Sequence, residues 1–342
     1  MSVIVPARNE EDSLGRCLQS LVSQKESQKD VAFEIIVVDD HSTDRTREIA
    51  MSFPSAVRVI DAGPLPAGWT GKNNAVTAGA KVARGEWLLF TDADTIHLPG
   101  SLARSLEEAK RRGAALLSYS PEQIVETFWE KAVMPVIFAD LAASYRPSQV
   151  SDPNSPAAAA NGQYILITRE AYDAVGGHAA IAGMLLEDVA LARAVKRSGR
   201  KIFFRFGGDA VRTRMYRSFA QLREGWTKNL AILFPSPARL AALRAVEFVL
   251  ILASLAITIA GLIGGRWRAV VVTGMLAVVL YVLFLLRISR AHFRWDANLL
   301  ALFGLPLFSY LLLRSQRAHA TGHVSWKGRD YSDERCLLAT GH

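Results

Sequence analysis

The 342-residue sequence predicts an α/β fold, a mostly parallel sheet flanked by helices, followed by C-terminal transmembrane helices. Three observations predict it. Short β-rich runs alternate with helical patterns over the N-terminal part. Those runs are continuously apolar, as strands covered on both faces must be. From Phe248 onward charges become sparse, and two stretches of 18 residues carry none.

"SVIVPA" (2–7), "FEIIVVDD" (33–40), "AVRVI" (56–60), "EWLLFTDAD" (86–94) and "AALLSYS" (114–120) read as strands. Helical patterns cover 12–23, 43–52, 73–83 and 101–112, and strand–helix–strand order gives parallel pairing. Residues 123–145 read as a helix apolar nearly all round, suited to a core or to membrane contact. The Pro/Ser/Asn/Ala-rich stretch 146–161 reads as a mobile loop. Strand, helix and turn follow over 162–177, then an amphipathic helix within 185–201 and a strand "KIFFRF". Of the apolar stretches, 248–265 and 269–286 approach the ~20 residues that cross a bilayer. The third, 297–313, holds Gly304 and Pro306 and suits a kink or a re-entrant segment. The expected organisation is an α/β domain over 1–235, in two halves (1–120 and 121–235), a membrane segment over 245–315 and a basic tail over 316–342.

The net charge of +8 calls for an anionic partner, yet no Lys/Arg run is interleaved with aromatics, so nucleic acid is not expected. Two cysteines, Cys17 and Cys336, form neither a disulfide framework nor a zinc site and fit a reduced cytoplasmic setting. The first residues carry no signal-peptide pattern. Arg287, Arg290 and Arg294 in the second inter-segment loop, and Arg314, Arg317, Lys327 and Arg329 in the tail, are expected on the cytoplasmic side. Three full spans would separate these groups. A hairpin plus a re-entrant or interfacial third segment keeps them together, in a multi-pass inner-membrane protein whose α/β domain faces the cytoplasm.

Ligands of such sheets sit beyond the carboxyl ends of the strands. There the sequence places Arg8-Asn9-Glu10, Asp39-Asp40 and Asp92-Ala93-Asp94. Carboxylates one residue apart at a strand end face the same way and can share Mg²⁺ or Mn²⁺, which take hard oxygen ligands; the plain alternative is a solvated turn or an N-cap. Acids at three strand ends are costly unless a cation or donors compensate. Glu187-Asp188 reads either as a reactive pair or as charges favoured by a helix N-terminus. Arg214, Arg217, Arg223 and Lys228, with Phe219 and Trp226, suggest an amphipathic helix at a lipid interface or a solvated basic face. Trp69 either packs on the sheet or touches a donor. His41 and His97 flank strand-end acids and read as surface-loop residues, with contact to a donor or metal as the alternative, and His178 as bordering the acceptor; none is assigned a role.

Taken in order, "SVIVPARNEED", "EIIVVDDHSTDRT", "GKNNAVTAGAKVARGEWLLFTDAD", "NGQYILITREAYDAVGGH" and "LLEDVALARAVKRSGRKI" resemble the family 2 glycosyltransferases over roughly residues 2–230. The resemblance implies a GT-A fold, a nucleotide-diphosphate sugar donor (UDP-sugar favoured), a divalent metal and inversion at the anomeric carbon. It implies that Pro6, Glu10, Asp39 and Asp40 line the base and ribose pocket and that Lys72 faces the donor. Asp92 would touch the nucleotide and, with Asp94, the metal. Asp188 would be the general base, with Glu187, Arg223 and Trp226 on the acceptor and diphosphate side. "GPLPAGWTGKNNA" (63–75) is similar to hopanoid-associated and carotenoid glycosyltransferases, and "HVSWKGRDY" (323–331) to ceramide glucosyltransferases, which implies a hopanoid, carotenoid or sphingolipid-like acceptor at a membrane. Processive relatives carry Gln-x-x-Arg-Trp; Gln221-Leu-Arg-Glu-Gly-Trp226 is one residue longer, favouring transfer of a single sugar. The implied activity is metal-dependent, inverting transfer to a lipid hydroxyl by a membrane-bound enzyme. Alternatives are a polyprenyl-phosphate glycosyltransferase, which needs no general base, a nucleotidyltransferase, which releases pyrophosphate, and a non-catalytic membrane module.

Overall fold

The computed structural model describes residues 1–27, 32–326 and 328–330. Along the chain run β1 (Ser2–Ala7), α1 (Leu14–Ser27), β2 (Glu34–Asp39), α2 (Thr46–Met51), β3 (Val57–Asp61), α3 (Gly71–Val82), β4 (Trp87–Phe90), β5 (Thr95–His97), α4 (Ser101–Arg112), β6 (Leu116–Ser120) and β7 (Glu122–Gln123). There follow α5 (Phe128–Ser144), α6 (Pro147–Ser151), β8 (Ile165–Thr168), α7 (Arg169–Ala174), α8 (Glu187–Arg197), β9 (Ile202–Phe206) and β10 (Val211–Thr213). Four long helices complete the order, α9 (Phe219–Leu233), α10 (Pro237–Ile263), α11 (Trp267–Ile288) and α12 (Trp295–Ala320), with short strands at Ser325–Trp326 and Arg329–Asp330. Cys336 and the tail beyond residue 330 lie outside the described residues.

The chain divides into two compact units, and the division is interleaved rather than linear. The first holds Met1–Ile124, Tyr145–Met215 and, of the tail, residues 328–330; the second holds Val125–Ser144 and Tyr216–Trp326.

In the first unit a seven-stranded sheet runs in the order β3-β2-β1-β4-β8-β6-β9. Pairing is parallel across β3, β2, β1 and β4 and between β6 and β9, while β8 is antiparallel to both neighbours. Side chains alternate between two cores. Ile4, Ile36, Val38, Leu88 and Phe90 fill one face; Val3, Val5, Ile35, Val37 and Leu89 fill the other. Both faces are dry, which is why the strands read as unbroken apolar runs. β5, β10 and β7 form a small second sheet.

Segment 146–161 is packed rather than mobile. It contains α6, its Ala158, Ala159 and Ala160 are buried on the sheet, and Lys196 Nζ donates to the carbonyls of Val150 (2.7 Å) and Ala157 (2.6 Å). Small side chains let the backbone lie flat on the sheet, and the lysine supplies donors that water would otherwise give.

The second unit contains α5 and α9–α12. α10, α11 and α12 are long and apolar enough to cross a membrane. α12 runs without interruption through Gly304-Leu305-Pro306, so no re-entrant break exists there. Gly304 serves close packing: a Cβ at this position would collide with the carbonyl of Ala132 in α5. A balanced charge quartet joins α5, α10 and α11. Asp140 accepts from Arg244 (2.6 and 2.9 Å) and Arg287 (3.1 Å), and Glu247 accepts from Arg244 (2.8 Å) and Arg287 (2.9 Å). Charges among apolar helices persist only when paired in this way.

Candidate active site

β1, β2 and β4 end on the same edge of the sheet, and the acids follow them there. Asn9 and His41, just past β1 and β2, adopt left-handed backbone (φ 53° and 57°) that turns the chain sharply. The two turns are stapled together: Asn9 Oδ1 accepts from Thr43 N (2.9 Å), Thr46 Oγ1 from Glu10 N (2.7 Å) and Asp44 from Glu11 N (3.1 Å). Asp44 and Thr46 of the "DDHSTDRT" stretch therefore build the loop. Glu10 accepts from the Ser13 hydroxyl (2.8 Å), and Pro6 sits half-buried near the end of β1. Asp39 accepts from Ser42 N (3.3 Å) and lies 3.5 Å from Arg47. Asp40 is buried and is gripped by Arg329 from the tail.

After β4, Thr91, Ala93 and Thr95 are buried, while Asp92 and Asp94 alternate with them on the half-exposed side. Among the described residues, no cluster of three or more His, Cys, Asp or Glu side chains is arranged to hold a metal. A pair of hard carboxylate oxygens fits a Mg²⁺ or Mn²⁺ ion whose remaining ligands come from phosphate oxygens and water, not one caged by protein alone.

Lys72 is the centre of the arrangement. Thr70 caps α3 by accepting from Asn73 N (3.2 Å), which sets Lys72 in the first turn. Its Nζ lies 2.8 Å from Asp92 and 2.8 Å from Glu187. Burial pulls the lysine pKa down, but the two carboxylates outweigh it and hold the pKa well above its ordinary value. Asp188 stands beside Glu187 and accepts from Gly162 N (2.9 Å) and Val189 N (2.8 Å). Burial, then the Glu187 charge, pushes its carboxyl up to about 6; Lys72 and the two amides act in the opposite direction. Gly162 leaves the room this needs, since a Cβ there would sit 3.0 Å from Lys72 Nζ and 3.3 Å from Glu187 Oε1.

The loop entering α8 is fixed by Asn73, which the sequence reading did not single out. Its buried amide donates to the carbonyls of Ile181 (3.0 Å), Ala182 (2.9 Å) and Met184 (3.1 Å), and Thr70 N donates to Ala182 O (2.9 Å). The neighbouring Asn74 reaches Ala62 O (3.2 Å). One turn of α3 thereby sets the separation between the donor-side acid Asp92 and the Glu187–Asp188 pair.

Three expectations are corrected. His97 is buried on β5, bonded to the hydroxyls of Thr91 (3.1 Å) and Thr95 (3.3 Å), and burial lowers its pKa to about 3. It is a neutral core residue, not a surface one. His178 is likewise buried, 3.0 Å from Tyr172 Oη, its pKa lowered to about 4 chiefly by burial. Trp226 lies in the second unit and is interior: its indole N–H donates to the Met134 sulfur (3.4 Å) and its ring packs edge-on against Phe138. Gly225 before it has no room for a Cβ beside the Tyr216 ring, which accounts for the Gly-Trp departure by packing. Arg223 is half-exposed in the same unit. Trp69 is half-buried in an exposed loop bounded by Gly63 and Gly68, both with positive φ.

Residues 2–176 match the family model described as Glycosyl transferase family 2. The chain is 28% identical over 347 residues to the 4,4'-diaponeurosporenoate glycosyltransferase of Staphylococcus aureus strain USA300, covering 97% of this chain and 88% of that protein. It is equally similar, 28% identical, to the protein of the same name in strain MRSA252. Among solved structures, the mannosyltransferase PcManGT from Pyrobaculum calidifontis, in complex with GDP-Man and Mn2+, gives a TM-score of 0.53 at 17% identity, covering 93% of this chain and 86% of that one. That likeness is one of fold, the GT-A arrangement of a mostly parallel sheet between helices. With the family match spanning just over half its length, the chain belongs to glycosyl transferase family 2 and is a glycosyltransferase.

Proposed function

We propose that the chain transfers one sugar, with inversion, from a nucleoside-diphosphate sugar to the hydroxyl of a carotenoid- or hopanoid-like lipid. The observation that carries this reading is the Lys72 bridge, which brings the donor-side Asp92 and the acceptor-side Glu187–Asp188 pair to one ammonium group. In the reaction the acceptor oxygen bonds to the anomeric carbon as the bond from that carbon to the diphosphate oxygen breaks. Asp188 takes the hydroxyl proton: a carboxylate pushed up to about 6 is still ionised near neutral pH yet more basic than an ordinary one. Lys72 holds positive charge beside the departing diphosphate. A divalent cation held by Asp92 and Asp94 supplies further neutralisation of the diphosphate charge when bound.

The S. aureus relative is named for a carboxylate, diaponeurosporenoate. This favours a second reading in which the acceptor is already an anion and Asp188 removes no proton. The test combines both readings. Membranes carrying the protein are incubated with radiolabelled UDP-glucose, UDP-N-acetylglucosamine or GDP-mannose and with extracts of neutral or acidic lipids. Label entering the organic phase, lost with EDTA and restored by Mn²⁺ or Mg²⁺, is expected. No transfer from any donor would refute the reading, and release of pyrophosphate would make the chain a nucleotidyltransferase.

We further propose that α10 and α11 cross the inner membrane as a hairpin while α12 lies along it, with the catalytic unit in the cytoplasm. Of their most apolar stretches, 17% and 11% is protein-buried in α10 and α11, against 44% in α12. Arg329, beyond α12, bonds Asp40 of the catalytic unit, so the chain makes an even number of crossings between that unit and the tail. Arg287, Arg290 and Arg294 mark the same side as cytoplasmic. A Ser325→Cys variant should react with impermeant maleimide only in inside-out vesicles; labelling of intact cells would refute this topology.

A further inference from the structure

We propose that Arg329 is a positioning residue of the donor pocket, a latch from the C-terminal tail that neutralises and orients Asp40. The proposal deepens the functional reading above and rests on it. Both nitrogens of the Arg329 fork engage both oxygens of Asp40, the Nη2–Oδ1 distance being 2.9 Å, across 289 residues of sequence. The Asp40 side chain is 5% exposed and that of Arg329 17%, so this is not the solvent-screened surface pair that contributes little. Bidentate pairing also fixes the plane of the carboxylate, which a lysine cannot do.

The guanidinium sits in a built seat. Gly71, the first residue of α3, has no positive φ that would demand glycine. Its demand is for space: a Cβ there would fall on the Arg329 guanidinium and 2.6 Å from Asp40 Oδ2. The Gly of "GWTGK" is thus explained by a residue more than 250 positions later. The opposite side of the same segment is held by Arg8, whose guanidinium donates to the Asp40 carbonyl (2.7 Å).

The consequence for binding follows from charge. Asp39 and Asp40 end β2 on the edge that receives the donor, and Lys72, next to Gly71, is already engaged by two carboxylates. Without Arg329, a diphosphate approaching this edge meets an uncompensated, desolvated carboxylate. With it, Asp40 is neutralised and held in one orientation before the nucleotide arrives. Loss of the latch weakens donor binding and leaves the proton transfer at Asp188 alone.

The test uses the full chain in detergent micelles, measuring UDP binding by calorimetry with Mn²⁺ present, together with transfer kinetics. Arg329→Ala is expected to weaken UDP binding and raise the donor KM by about tenfold or more, with kcat within about threefold, and Arg329→Lys to recover part of the loss. Gly71→Ala should move binding in the same direction. In an Asp40→Asn background, Arg329→Gln should cost little more, because the charge to be neutralised has gone. Wild-type UDP affinity in folded Arg329→Ala, or a lowered melting temperature with unchanged affinity in Arg329→Lys, would overturn the latch and leave the function standing. A wild-type protein that binds neither UDP nor GDP would instead refute the functional reading and the latch with it.

Discussion

Asp188→Asn lowers lipid glycosylation by about 100-fold or more at neutral pH while UDP binding stays within about threefold. The substitution keeps the side-chain shape, although Gly162 N and Val189 N donate to different oxygens of Asp188, so the amide oxygen retains one of the two bonds. What it removes is basicity. An acceptor hydroxyl that cannot hand its proton to the enzyme must attack as a neutral group, and the lost general-base contribution is about two to four orders of magnitude. The same variant decides the acceptor class. If the natural acceptor is a carboxylate or a phosphate, no proton is transferred and Asp188→Asn retains most of its rate. A rate within about threefold of wild type with a hydroxyl acceptor would remove Asp188 from the chemistry.

Lys72→Met gives the second large effect, and its signature is a displaced pH profile. In the wild type the rate should rise with pH through about 6, as Asp188 loses its proton and becomes competent to accept one. Lys72 is among the groups that hold the Asp188 pKa down, against burial and the Glu187 charge that push it up. Removing the ammonium leaves the upward influences opposed only by the two backbone amides, so the rising limb moves to higher pH. Glu187→Gln removes a negative neighbour and should move the limb toward acid. Lys72→Met also takes a positive charge from beside the leaving diphosphate, so its plateau rate falls by about 100-fold, in the range of a lost electrostatic stabiliser. Measuring kcat across about pH 5–9 for the three proteins checks both claims; a limb unmoved in Lys72→Met would show that the bridge does not act on Asp188.

The sheet was legible because its physical demand is local: a strand dry on both faces must be apolar at every position, as "IIVV" (35–38) is. The acids were legible because parallel strands deliver their ends to one edge, and Asp92 and Asp94 there share the half-exposed side. What the linear pattern did not carry depends on contacts distant in the chain. Nothing in "YILIT" states that β8 inserts antiparallel between β4 and β6. His97 reads as a surface-loop residue until Thr91 and Thr95 close around it, and His178 as a site-edge residue until Tyr172 does. Gly304 and Pro306 read as a break, but the glycine answers to a carbonyl of α5 and the helix continues. Asn73 and Arg329 left no local signature, since their partners lie more than a hundred residues away.

The interleaving of the two units has a practical corollary for anyone seeking a soluble fragment. A stop codon near residue 235 would remove α10, α11 and α12 but keep α5 and α9, which pack on α12. Asp140 would then be stranded without Arg244 and Arg287. A carboxylate orphaned among apolar side chains costs about 3–5 kcal/mol, a large share of what holds an average domain folded. Such a fragment should partition into inclusion bodies, whereas splicing out 125–144 and 216–326, so that Arg329 still reaches Asp40, would follow the grain of the molecule.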